Sequence, residues 1–231
     1  MEKFTRSSKM AEMVLVNYHL LPVLNRFGIE LGFKDKTVEQ ICEELNIDSF
    51  FFLAIVNTFH NKNYFPEDEI QRFSPAQVIE YLEKTHMYYR GYVMPKLEYY
   101  LQKIIESSDT GNKELRMIET FYRKYKEEFL LHMQEEEEST FPYVLNLVKN
   151  HSLKENYSIR SFEKEHTNVD FKLNDLKNII IKYVKPAYDA NMCNEFLITL
   201  LRFEKDVQEH ARIEDKILVP LVRTIEEKIH G

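Results

Sequence analysis

The chain has 231 residues, a formal net charge of −7, 44% hydrophobic residues and 30% charged residues, which is an ordinary balance for a globular protein. Five Gly and seven Pro are few turn residues for a sheet-rich fold, so the composition favours long helices. The acidic charge, without a block of Lys and Arg, argues against binding to nucleic acid or to an anionic membrane surface.

The cysteines and the hydropathy pattern indicate where the protein acts. Cys42 and Cys193 form no CxxC motif, which suits a reducing compartment and argues against a thiolate metal site or a disulfide framework. The apolar runs in residues 1–21 are too short and interrupted for a signal peptide. No stretch reaches the roughly 18 apolar residues that a membrane span needs. We therefore expect a soluble, cytoplasmic protein.

Short helices are predicted in the first part of the chain. An apolar stripe at helical spacing predicts a helix over residues 7–27. Thr37, with Gln40 at the capping-box position, predicts the start of a second helix. A third helix is predicted over residues 49–61. We predict that residues 1–65 form a small helical domain.

Four long helices are predicted after the polar segment 63–75, which contains two prolines and which we take as the domain boundary. The joins between these helices are short, and short joins make consecutive helices antiparallel neighbours. The predicted fold is therefore all-α, with an up-down-up-down four-helix bundle over residues 75–231. The predicted helices run approximately over residues 74–107, 112–149, 158–184 and 189–229.

An internal repeat contains four of the eight histidines. His132 and Glu136 form an HxxxE motif, and a second such motif follows about 80 residues later. A proline follows each of the two glutamates at the same spacing. The helix before each motif carries one further histidine. The complete set is His86, His132 and Glu136 in the first copy, and His166, His210 and Glu214 in the second.

The spacing of the motif has a direct physical meaning. Residues four apart on an α-helix lie on one face, one turn apart, so each HxxxE motif aims an imidazole and a carboxylate at one place. Four imidazoles, two bridging glutamates and an oxo or hydroxo bridge give each of two metal ions five ligands, and an octahedral ion keeps one open position. We therefore predict two iron ions, with zinc or manganese as substitutes. The predicted ligands are His86, His132, Glu136, His166, His210 and Glu214.

Other polar residues near these motifs have two interpretations. Glu128 and Glu165 either accept a hydrogen bond or carry a proton near the open position, or they are ordinary solvated glutamates. Tyr88, Tyr89 and Tyr92 either gate access or pack in the core, and we favour packing. Four histidines match nothing in the repeat and are predicted to have no metal-binding role: His19, His60, His151 and His230.

Over about residues 75–229, these motifs resemble the hemerythrin-like (HHE cation-binding) domains. The set of four His and two Glu is more similar to the "repair of iron centres" proteins, di-iron proteins for the repair of iron–sulfur clusters damaged by nitric oxide or oxidants. That resemblance also implies an N-terminal ScdA-type helical domain. Gly32 and Phe33 stand where the family has a Cys-Cys pair, so the resemblance does not extend to a thiol-dependent step.

The resemblance implies a non-haem di-iron protein of the nitrosative or oxidative stress type, whose open iron positions take nitric oxide or oxygen species. Reductive coupling of nitric oxide would need an electron donor, which the sequence does not name, and whether the protein is an enzyme stays open. The alternative is an O2- or NO-binding sensor, or an iron-storage or iron-donor module, that signals to a partner without catalysis. A helical protein without metal is the simplest alternative.

The helix predicted over residues 49–61 indicates which macromolecular partners can be expected. It contains no Lys or Arg, so it lacks the cations that DNA phosphates and base edges require, and we expect no nucleic-acid binding. Its apolar residues are predicted to pack against the first helix or against a second subunit, so a homodimer is one of the two interpretations.

Overall fold

The computed structural model describes residues 2–66, 69–108, 112–150, 158–159, 167–184 and 188–230. The regular elements in these ranges are helices, and no β-strand occurs within them. The all-α fold predicted from the sequence is confirmed.

The N-terminal helices follow the predicted order with one interruption. The helix predicted over residues 7–27 is broken at Asn17, whose backbone is extended (φ −145°, ψ 91°). The Asn17 side chain accepts a hydrogen bond from the His19 amide and starts a 3-10 turn. The capping box of Thr37 and Gln40 is present. The helices are α1 (Met10–Val16), α2 (Leu21–Arg26), α3 (Val38–Glu44) and α4 (Ser49–His60).

The bundle helices agree with the predicted bounds wherever the structure describes them. The first consists of α5 (Pro75–Tyr88), a π-helical segment (Tyr89–Val93) and α6 (Met94–Glu106). The second consists of α7 (Lys113–Glu135), a π-helical segment (Glu136–Thr140) and α8 (Phe141–Asn150). The described part of the third includes α9 (Thr167–Tyr183). The fourth consists of α10 (Ala190–Ile213), a π-helical segment (Glu214–Leu218) and α11 (Val219–His230).

A proline follows each of these π-helical segments, at Pro95, Pro142 and Pro220. In an α-helix, proline donates no N–H and its ring clashes with the carbonyl four residues earlier. A wider π turn redirects the local hydrogen bonds, so the helix continues past the proline. Two of the segments begin at Glu136 and Glu214. The prolines therefore widen the helices at the level of the predicted metal ligands.

The described residues form two apolar cores, one toward each end of the bundle. The first core packs α1–α4 against α5, α8 and α11, and it includes Leu82 and Val144. The second core joins α6, α7, α9 and α10, and it includes Leu97 and Phe203. The first bundle helix runs from the first core to the second, whereas the second and fourth run the opposite way. This alternation agrees with the predicted up-down-up-down bundle.

Polar contacts also connect the N-terminal helices to the bundle. Arg212 on α10 donates hydrogen bonds to the carbonyls of Thr58, Lys62 and Tyr64 at 3.1–3.2 Å. The division of the chain into a small helical domain (residues 1–65) and a bundle (residues 75–231) stays a prediction.

Within the described ranges, none of the helices combines the length and the apolar composition that crossing a lipid bilayer requires.

Candidate metal centre

A layer of polar side chains lies between the two apolar cores. On the first bundle helix, His86 lies between Leu82 of the first core and Tyr89 of the second. The second and fourth bundle helices carry their polar residues at the same change of core. The residues that meet in this layer are His86, Glu136, His210 and Glu214.

These four side chains form a compact buried cluster. One ligand-type atom from each lies within 4.8 Å of those of the other three, and none of the residues is more than 5% exposed. The Nε2 atoms of His86 and His210 are 3.1 Å apart. His86 Nε2 is 3.2 Å from Glu136 Oε2, and His210 Nε2 is 3.0 Å from Glu214 Oε1. Three separate helices therefore aim nitrogen and oxygen donors at one point.

The chemistry of this donor set fits a metal ion. Two carboxylates bring negative charge into an interior where isolated charges are strongly disfavoured. Burial lowers the pKa of the His86 imidazole, but hydrogen bonds to Glu136 and Glu137 outweigh it and raise the pKa to about 9. The two glutamates thus stabilise positive charge at the His86 imidazole. Mixed imidazole and carboxylate donors are those that iron, manganese and zinc accept.

Glu137 is a residue of this site that the sequence analysis missed. Its Oε1 lies 2.9 Å from His86 Nδ1. If a metal ion takes the place of the Nε2 proton, the neutral imidazole would keep its Nδ1 proton on this carboxylate and direct the Nε2 lone pair toward the cluster. Arg90 pairs with the same carboxylate. The hydrogen bond with His86, and then that with Arg90, lower the pKa of Glu137 to about 2 although burial opposes them. A signal was present, because the repeat matches Glu137 with Asp215, another carboxylate.

The remaining predicted residues have different surroundings. His132 lies beside the cluster, with its Nε2 3.1 Å from Glu136 Oε1 and its side chain 15% exposed. Glu128 pairs with Lys172 of α9, so its carboxylate connects the second and third bundle helices. His166 and Glu165 lie outside the described residues.

Aromatic rings cover the side of the cluster that faces the second core. The buried ring of Tyr89 packs edge-on against His210 at a centroid distance of 5.8 Å, and against Phe203 at 5.2 Å. Tyr88 and Tyr92 stack on each other at 5.5 Å. Tyr89 therefore belongs to the second core and contacts the cluster through His210.

The histidines outside the repeat are not part of the cluster where their side chains are described. The His60 ring packs against Phe4 at a centroid distance of 4.3 Å, and the His19 ring stacks on Tyr18. His151 and the side chain of His230 lie outside the described part of the chain.

A helical bundle with a buried cluster of histidines and glutamates defines a class of metal-binding proteins. The family model described as "Hemerythrin HHE cation binding domain" matches residues 77–222, which is more than half of the chain, and the chain belongs to this family. It is also 19% identical over 216 residues to the iron-sulfur cluster repair protein ScdA of Staphylococcus haemolyticus (strain JCSC1435), covering 93% of this chain and 97% of that protein. The chain is therefore a metal-binding protein of a family in which iron is the typical metal.

Proposed function

We propose that this chain is a non-haem di-iron protein of the nitrosative or oxidative stress type, with a role related to iron–sulfur cluster repair. The buried cluster of His86, Glu136, His210 and Glu214 carries the proposal. The similarity to a repair protein over almost its whole length supports the functional class. A cytoplasmic location is part of the proposal, because Cys42 and Cys193 are free thiols, which suits a reducing compartment.

The proposed ligands of the two iron ions are His86, His132, Glu136, His166, His210 and Glu214. Four of these side chains converge, and His132 contacts Glu136. The proposed ligand role of His166 is supported by the position of this residue in the sequence. It falls between Ile159, in the first core, and Leu173, in the second, and the other bundle helices carry their proposed ligands at that same change of core.

Iron held by these six residues would supply binding and redox chemistry for nitric oxide or an oxygen species. The residues of the chain bind the ions and control their surroundings. Apolar cores lie on both sides of the layer, Glu137 orients the His86 ring, and Tyr89 packs against His210. A redox reaction at this site also requires an electron donor, which we propose to be a separate molecule.

Metal analysis followed by exposure to nitric oxide tests the proposal. We expect about two iron ions per chain, because four imidazoles and two glutamates match a dinuclear centre. Anaerobic addition of nitric oxide should change the iron-dependent visible absorption, and a reducing donor should allow nitrous oxide to form. Unchanged spectra under excess nitric oxide would refute the proposal, as would a chain that retains only one zinc ion after iron reconstitution.

The same experiment distinguishes the sensor or iron-donor alternative. A spectral change without nitrous oxide, in the presence of a reductant that keeps the iron reduced, would favour a binding module that signals to a partner. Nitrous oxide formed over several turnovers would favour catalysis. Partner-dependent loss of iron from the protein would favour an iron donor.

Glu137→Gln should weaken metal binding without removing a ligand. The amide loses the charge that holds the His86 Nδ1 proton, and loss of such an outer partner typically lowers metal affinity by about 10–100-fold. Competition with a coloured chelator measures this change. Glu138→Gln is the matched control, because Glu138 is exposed and its contact is with Gln134. Equal affinities of the two variants would contradict the positioning role of Glu137.

A further inference from the structure

A cavity lies apart from the metal layer, where the N-terminal helices meet the bundle. Its volume is about 560 Å³, within the range of small-molecule pockets. The 3-10 turn and α2 form one wall, and the first and fourth bundle helices form the others. The residues that matter for its chemistry are Tyr18, Tyr88, Tyr92, Lys96, Arg202 and Lys205.

The cavity carries positive charge although the chain as a whole carries −7. Among the described residues, no carboxylate pairs with Lys96, Arg202 or Lys205, each of which lines the cavity. Asp206 also lines it, but both of its carboxylate oxygens are engaged by Arg26, one of them at 2.9 Å. The three cations are therefore not neutralised by the acidic residue beside them.

The lowered pKa of His19, another lining residue, is consistent with positive charge in the cavity. Burial lowers the pKa of His19, and the positive charges of Lys205 and Arg202 lower it further, while Asp206 opposes them. The cations thus outweigh the one carboxylate in their effect on a group inside the cavity. A site of this kind attracts an anion.

The walls present flat aromatic surfaces. Tyr18 and Tyr92 are 55% and 53% exposed, so parts of both rings are accessible to a ligand. The Tyr88 and Tyr92 rings are stacked with an interplanar angle of 22°. The Arg202 guanidinium carbon lies 5.4 Å from the centre of the Tyr18 ring. Because Tyr18 also stacks on His19, a planar ligand would pack against the exposed parts of these rings in offset or edge-to-face contacts, which aromatic groups commonly make in binding pockets.

We propose that this cavity binds a small planar organic anion. Its conjugated rings would lie against Tyr18, Tyr88 and Tyr92. Its carboxylate, sulfonate or phosphate group would accept hydrogen bonds from Lys96, Arg202 and Lys205. Phe203 forms part of the wall and packs on Tyr89, which packs on His210. The ligand therefore lies outside the metal layer, and its binding does not rest on the proposed iron chemistry.

Fluorescence titration with 8-anilinonaphthalene-1-sulfonate tests the proposal on the purified full chain, with and without metal. This probe combines fused rings with one anionic group and emits strongly in apolar surroundings. We expect saturable binding at one site in both preparations. The uncharged analogue N-phenyl-1-naphthylamine should bind on the order of tenfold more weakly, because it makes no charged hydrogen bond. Equal affinities for the two probes would overturn the anionic assignment.

Paired variants locate the site. Arg202→Gln/Lys205→Gln should weaken binding of the sulfonate on the order of tenfold or more and leave the uncharged probe unchanged. Lys124→Gln/Lys182→Gln removes two exposed cations outside the cavity and should leave both affinities unchanged. Far-UV circular dichroism verifies that each variant is folded. Similar losses in the two double variants would indicate non-specific attraction and would overturn the proposal.

Asn25→Trp gives an independent test through shape rather than charge. Asn25 is exposed at the edge of the cavity, so a bulky ring there should fill part of the space and weaken both probes. Unchanged binding of both probes in this folded variant would place their site elsewhere and overturn the proposal.

Discussion

Glu136→Gln and Glu214→Gln should each lower the metal affinity of the protein by more than about 100-fold. Loss of a partner that only orients a ligand costs up to about 100-fold, and loss of a ligand itself should cost more. Each substitution removes a buried carboxylate from the point where the two imidazoles meet. Elemental analysis of the purified variants, together with chelator competition, measures the loss. Far-UV circular dichroism should verify that each metal-free variant is folded, so that the loss of metal reports the missing carboxylate.

The run of four glutamates supplies the controls for this experiment. Glu135 and Glu138 flank the proposed site residues and are exposed, so Glu135→Gln and Glu138→Gln should retain the metal content of the wild-type protein. The loss of metal should be largest in Glu136→Gln and smaller in Glu137→Gln. The variants at the two flanking positions should show no loss. A uniform decrease across all four variants would mean that the acidic run acts through its general charge, and the proposed ligand role of Glu136 would be lost.

Asp206→Asn should lower the free energy of unfolding by about 3–5 kcal/mol, the typical cost of leaving a buried charge without its partner. Arg26 is 4% exposed and makes a two-pronged contact with Asp206. Its guanidinium group also donates to the Tyr81 hydroxyl at 3.2 Å. Since Arg26 lies on α2 and Asp206 on α10, the loss measures how strongly this pair connects the N-terminal helices to the bundle. Urea unfolding of the metal-free protein provides the measurement.

Two comparisons show whether the cost comes from the unpaired charge. Arg26→Met/Asp206→Leu removes both charges and should recover most of the lost stability, because replacing a buried pair with apolar residues is often close to neutral. Arg123→Gln breaks an exposed pair with Glu119 and should cost at most about 1 kcal/mol. If Asp206→Asn is no more costly than Arg123→Gln, the buried pair does not stabilise the contact between α2 and α10.

The repeat shows why much of the bundle could be predicted from the sequence. A spacing of four residues places two side chains on one helical face wherever the helix packs, so His210 and Glu214 could be assigned to a common site. Short joins between long periodic segments imply antiparallel neighbours. The helix over residues 7–27 was less predictable, because its apolar stripe continues through Asn17, where the backbone is extended.

The contact between Glu137 and His86 could not be predicted from helical periodicity. The two residues lie on different bundle helices, and their contact depends on how those helices are rotated about their axes. The π-helical segment that starts at Glu136 changes this rotation locally. The prolines after the π-helical segments were visible in the sequence, but proline can end a helix as well as widen it, so their effect on geometry was not decided by the sequence.

The sequence by itself determined the helical class, the order of the bundle helices and the residue types available to bind metal, because these follow from local periodicity and from the internal repeat. Only the tertiary structure decided that His86, Glu136, His210 and Glu214 meet in one buried layer, that Arg26 reaches Asp206, and that a cationic cavity lies beside α2. The physical reason is that each of these features joins side chains from separate helices. Their meeting is set by the packing of apolar cores, and no local pattern in the chain specifies that packing.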